Sequence, residues 1–159
     1  MKLFYRAEGL IHSRLQEFDL ALLRMVPQLI DTLGAVGFDP AVERFTPRVF
    51  ADDEERSAEY RRLAGELIDD GRAEDAAALR DLLGAVESGD ALTDEEASCW
   101  MRAINQARLI LGARLGIEDD GWEETSGLSP EDPSVLMLHL LGRMQSHLIA
   151  ALVGGLEPH

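Results

Sequence analysis

The sequence predicts a mainly α-helical fold, a bundle of five to six helices with a short β-hairpin at the N-terminus. Three observations lead there. Apolar residues recur at steps of three and four over most of the chain, a Thr-x-x-Glu cap precedes one such stretch, and the only extended candidates flank Ala7-Glu8-Gly9. With 159 residues, 46% of them apolar, the chain is long enough for one domain spanning 1–159. A chain of about this length buries roughly 68–70% of its unfolded surface, so its core needs neither disulfide nor metal.

The elements follow in order. Residues 3–6 and 10–14 read as two strands joined at Ala7-Glu8-Gly9, where glycine accepts a positive φ. Leu15, Phe18, Leu22, Met25, Leu29 and Val36 then place one apolar stripe on a helix face, expected to be the buried one. Pro27 lies inside this helix, where it removes a backbone bond and clashes with the preceding turn, so a kink or restart is expected near Val26. Residues 37–51, with Pro40 and Pro47, read as a loop. Asp52-Asp53-Glu54-Glu55 suits a helix N-terminus, where free amides and the macrodipole favour negative charge. Tyr60, Leu63 and Leu67 carry the next buried face, Asp69-Asp70-Gly71 is expected to break or bend it, and Ala76, Leu79, Leu83 and Val86 resume it.

Thr93-Asp94-Glu95-Glu96 is a capping box, and Ala97, Trp100, Ile104, Ala107, Leu111 and Leu115 follow at helical spacing. Gly116 stands where a left-handed terminator belongs, so this stretch reads as a central helix. Residues 117–131 read as an acidic loop. Asp132-Pro133 opens a last helix, with Asp132 as cap, running through Met137, Leu141, Met144, Leu148 and Leu152 to Gly154-Gly155. Its Met and Leu stripe exceeds what one core needs, which points to a homodimer.

Charge narrows the classes of function. Thirty acids against fifteen Lys and Arg give a net charge of -15. Phosphate backbones are repelled by such a chain, and a sequence-independent nucleic-acid binder needs the opposite sign. The excess is concentrated in residues 51–100, which hold sixteen acids and five bases. Arg6, Arg14, Arg44, Arg48, Arg56, Arg61 and Arg62 are the basic residues dense enough to form a patch, and a DNA-binding regulator using them is the alternative reading. Helical pairing with Glu54, Glu55, Glu59 and Glu66 neutralises them equally well. The single Cys99 closes no internal disulfide, and no signal peptide or membrane span is read, so the expected location is cytoplasmic.

No chemical motif stands out. A glycine-rich phosphate cradle, a serine elbow, a zinc-binding HExxH and a CxxC are all missing, so no cofactor and no enzymatic activity are expected, with an unrecognised enzyme as the remaining alternative. Glu118, Asp119, Asp120, Glu123 and Glu124 lack the spacing of a calcium loop and read as solvated. His139 and His147, with Arg143 between them, read as a solvent-facing stripe, and His12 has no candidate partner. Cys99 is near a helix N-terminus, which promotes a thiolate, but Asp94, Glu95 and Glu96 oppose it, so an inert, partly buried thiol is expected. Asn105 and Arg108 share a face off the core side, where they hold the acidic loop or meet a partner.

Several pieces taken together carry a resemblance. They are Phe4-x-Arg6-x-x-Gly9; Asp39-Pro40-Ala41-Val42-x-Arg44 followed by Pro47; Asp52-Asp53-x-Glu55 leading to Glu59-Tyr60-Arg61-Arg62-Leu63; and Trp100-x-x-Ala103-Ile104-Asn105-x-x-Arg108-Leu109-x-Leu111-Gly112-x-Arg114-Leu115-Gly116. In this order they resemble an actinobacterial family of domains of unknown function, some of whose members are described as oxidative-stress-responsive regulators of transcription. The resemblance implies a small helical regulator that contacts another protein of the transcription machinery, such as a sigma factor, and catalyses nothing. The resemblance carries no site over; from the residues themselves, Arg61, Arg62, Asn105 and Arg108 are candidate partner or loop-anchoring contacts. Redox sensing through Cys99 alone requires an intersubunit disulfide or a small-thiol cap.

Overall fold

The computed structural model describes residues 2–32, 54–117, 129 and 131–154, with the side chains of residues 54–70 outside the description. Two strands, β1 (Phe4–Ala7) and β2 (Leu10–Ser13), precede four helices: α1 (Glu17–Asp31), α2 (Glu54–Glu87), α3 (Asp94–Arg114) and α4 (Pro133–Gly154). The fold is mainly helical with an N-terminal antiparallel hairpin, but the described helices number four, not five or six.

The hairpin closes as the turn chemistry requires. Glu8 and Gly9 both take positive φ, 54° and 77°, the pattern of a two-residue turn whose twist matches the flanking strands. Phe4 pairs with Ser13 and Ala7 with Leu10. Ile11 spends its N–H and C=O on Leu92, at 2.8 Å each, which ties the hairpin to the turn preceding α3.

Helix α3 is central: it packs against α1, α2 and α4, while β1 rests on α4 and α2 also meets α1. Its ends are built as read. Thr93 Oγ1 accepts from the Glu96 N–H at 3.1 Å and Glu96 Oε1 accepts from the Thr93 N–H at 2.9 Å. Gly116, at φ 76°, turns the chain so that the Ile117 N–H reaches the Gly112 carbonyl at 2.8 Å, satisfying carbonyls that a helix end leaves open. Ala97, Trp100, Ala103, Ile104, Ala107 and Ile110 are fully buried along its length.

Three expectations need correction. Helix α2 runs unbroken for 34 residues across Asp69-Asp70-Gly71. A mid-helix glycine costs only about 1 kcal/mol, and packing of Ala76, Leu79, Leu83 and Val86 just beyond offsets it. Helix α1 likewise continues through Pro27, which is itself buried, so the expected restart is absent. The third concerns which face of α1 is inside. Of the expected stripe, Leu22 is buried and Leu15 and Leu29 pack against the core, but Phe18 and Met25 are 60% and 44% exposed, and Leu20, Leu23, Val26 and Ile30 complete the buried side. Both sets have helical spacing, because α1 is apolar around more than one side. Val36, the 37–51 loop and the side chains of Tyr60, Leu63 and Leu67 lie outside the described residues.

Helix α4 is opened by Asp132, whose Oδ1 accepts from the Ser134 N–H at 2.8 Å. Leu138, Leu141, Met144 and Leu148 enter the core. By length and composition this helix is apolar enough to cross a membrane, with a mean hydropathy of 1.3 over its best window, a property that the sequence reading did not register.

Candidate functional site

Two polar clusters join α3 to its neighbours. On the α2 side, the Asp75 carboxylate is buried, with 8% of its side chain exposed, and receives the Arg102 guanidinium through Nε at 3.1 Å and Nη2 at 3.1 Å. Gln106 Nε2 donates to the same carboxylate at 3.4 Å, and Arg102 Nη2 also donates to Cys99 Sγ at 3.3 Å. Burial pushes the Cys99 thiol above its ordinary value; Arg102 pulls it down, but Asp75 and Glu95 push it up again. The thiol is half-buried and held protonated, the environment of an unreactive cysteine.

On the α4 side, Gln145 is buried within the apolar stripe and bridges two residues of α3. Its Nε2 donates to Asn105 Oδ1 at 3.2 Å, and its Oε1 accepts from Arg108 Nη1. Gly142 lets the Arg108 guanidinium lie close: a Cβ there would meet it at 3.4 Å. Asn105 and Arg108 are thus engaged with α4. Residues 118–128 of the acidic loop lie outside the described residues, as do the side chains of Arg61 and Arg62. Among the described residues no group of three His, Cys, Asp or Glu converges as metal ligands do.

The hairpin meets the C-terminal end of α4. Arg6 Nε and Nη2 donate to the carbonyls of Ala151 and Leu152, at 3.2 and 3.4 Å, placing a cation where the helix dipole is negative. Its Nη2 also reaches Asp94 Oδ1 at 2.8 Å, in the first turn of α3, so one side chain ties two helix ends. The Leu3 N–H donates to His147 Nδ1 at 2.9 Å, which requires a neutral ring; burial, then Arg143, the N-terminus and Lys2, hold His147 below its ordinary value. His147 therefore leaves the solvent stripe assigned to it. His12 also finds a partner, stacked on Tyr5 with ring centroids 5.3 Å apart, and Arg14 lies 4.3 Å above the Tyr5 ring. Arg6 and Arg14, two members of the expected basic patch, are both engaged within the chain.

Next to these contacts is an open cleft of about 650 Å³, between the hairpin and the last turns of α4. Lys2, Tyr5, Arg6 and Glu8 line one wall and Ala150 and Gly154 the other. Leu10, Ile149 and Val153, each adjacent in sequence to a lining residue, are 38%, 40% and 48% exposed. The cleft thus combines a polar lining with exposed apolar side chains at neighbouring positions. Sequence reading missed it, together with Asp75, Arg102 and Gln145. The legible signal for Gln145 was its place four residues after Leu141 and three before Leu148, a polar side chain inside an apolar stripe.

No curated protein and no solved structure matches the chain. A family model does, over residues 1–152, and the chain belongs to that family, the domain of unknown function DUF2017.

Proposed function

We propose that this chain is a non-enzymatic regulatory protein that acts by contacting another protein, and that the contact is made at the cleft between the hairpin and the end of α4. The observation that carries this reading is the pairing of an open polar cleft with exposed Leu10, Ile149 and Val153 on the hairpin and α4. Exposed apolar side chains grouped beside hydrogen-bonding groups are the composition of a protein interface. Arg6, locked to Asp94 and to α4, holds the two walls in register before any partner arrives.

The resemblance to stress-responsive regulators names the transcription machinery as the partner's class, with a cytoplasmic location. A surface carrying -15 favours a partner with a basic face. Titration of the purified chain with purified sigma factors and core RNA polymerase is the test. Binding that is lost in an Ile149→Asp, Val153→Asp double variant of unchanged helicity is the expected result. Absence of binding to every one of these proteins at low salt overturns the reading.

A further inference from the structure

We infer that two copies of this chain form a symmetric dimer through the apolar face shared by α1 and α4, a surface separate from the cleft proposed above. A groove of about 220 Å³ runs between these helices, lined by Phe18, Leu22 and Met25 on one side and Leu136, Met137 and Leu140 on the other. Phe18, Met25 and Leu136 are 60%, 44% and 49% exposed, so the face combines protruding side chains with a hollow able to receive them. A two-fold interface demands that self-complementarity, since each copy must present both the ridge and the groove.

The charges beside the face have the same property. Met25 and Met137 also line a hollow with Thr32 and Ser134, so the C-terminal end of α1 lies beside the N-terminal end of α4 and the two helices run antiparallel. Phe18 and Leu140 then share the other end. There Glu17 precedes Phe18 on α1, and Arg143 follows Leu140 by one turn on α4; both are exposed and neither has an ion-pair partner among the described residues. A two-fold axis parallel to the helices lays α1 of one copy on α4 of the other and sets Glu17 of each against Arg143 of the other.

Charge also selects the occupant. A chain of net charge -15 repels its own copy at range and can meet it only where the local charge cancels, as Glu17 and Arg143 cancel here. An anionic lipid surface would need a basic rim around the apolar face, and a basic protein is drawn to the acid-rich surfaces. The apolar excess of α4 fits as well: its best window reaches a mean hydropathy of 1.3 with 39% of it buried in the single chain.

Sedimentation equilibrium of the full chain, over a range of concentration and salt, tests the inference. The expected mass is twice 17.5 kDa, with association tightening as salt screens the net repulsion. Phe18→Glu and Leu136→Glu, each at a position already half exposed, are expected to weaken the dimer by about tenfold or more with unchanged circular dichroism. Glu17→Arg is expected to weaken it by about two- to fivefold, and adding Arg143→Glu to restore it. A mass of 17.5 kDa under all conditions overturns the inference, as does a dimer indifferent to both glutamate substitutions.

Discussion

Helix α3 meets its two polar partners in different ways. On the α2 side a buried carboxylate, Asp75, is paired with a half-exposed guanidinium, Arg102; on the α4 side a buried neutral amide, Gln145, links Asn105 and Arg108. Removing Arg102 takes the counter-charge from a carboxylate that is 8% exposed, whereas removing Gln145 takes one hydrogen-bond partner each from a half-buried guanidinium and an amide. The α2 seam is therefore the more fragile to single substitutions, although neither seam contributes much net stability while intact. Apolar packing of Trp100, Ile104 and Leu79 holds the helices together, and the polar pairs fix their register.

The largest expected effect lies on the charged seam. Arg102→Met strands the Asp75 carboxylate and is expected to cost about 2–3 kcal/mol in urea unfolding, below the 3–5 of a fully buried pair because half of the Arg102 side chain faces water. Asp75→Leu combined with Arg102→Met should recover most of that loss. If the double variant is as unstable as the single one, the stranded charge is not the cause. The Gln145 seam should respond less. Gln145→Leu is expected to cost about 1–2 kcal/mol in the same measurement, through the unpaired Asn105 amide and Arg108 guanidinium. Equal losses on the two seams would erase the distinction.

The smallest effect concerns the edge of α4 that holds the N-terminal strand. His147 accepts from the Leu3 N–H only when neutral, and burial keeps its ring below the ordinary value of 6.5. As pH falls, the unfolded chain takes up this proton first, so the contribution is fully present above about 6.5 and is lost progressively below it. Melting temperatures between pH 8 and pH 5 should fall more steeply in the wild type than in a His147→Asn variant. Parallel curves would assign the acid sensitivity to other groups.

Local features were legible in the sequence because they depend on a few consecutive residues. The capping box at Thr93–Glu96, the positive-φ turn at Glu8-Gly9, the Gly116 terminator and the Asp132-Pro133 start all stand where their chemistry placed them. The polar clusters were not legible. Asp75 lies 27 residues from Arg102 and Asn105 lies 40 from Gln145, and no spacing rule links residues so distant. The partner of His147 was hidden for the same reason, the Leu3 amide being 144 positions away from the ring that accepts it, whereas Tyr5 stands opposite His12 within the expected hairpin.

Helix α1 marks the boundary between the two kinds of information. Its periodicity established that it is a helix and that it is amphipathic, since a helix presents every third and fourth side chain on one strip whatever surrounds it. Two strips qualified, one through Phe18 and Met25 and one through Leu23, Val26 and Ile30. How far round the helix burial extends was settled by α2 and α3, which cover the Leu23, Val26 and Ile30 side and reach Leu22 but leave Phe18 and Met25 outside. The same holds at Gly71, where a weak local preference for a break yielded to the packing of the residues beyond it. Caps, turns and helical character are properties of short segments and follow from the order of a few neighbouring residues. Burial, helix continuity and the meeting of distant polar groups depend on what each segment packs against, and only the assembled chain supplies that.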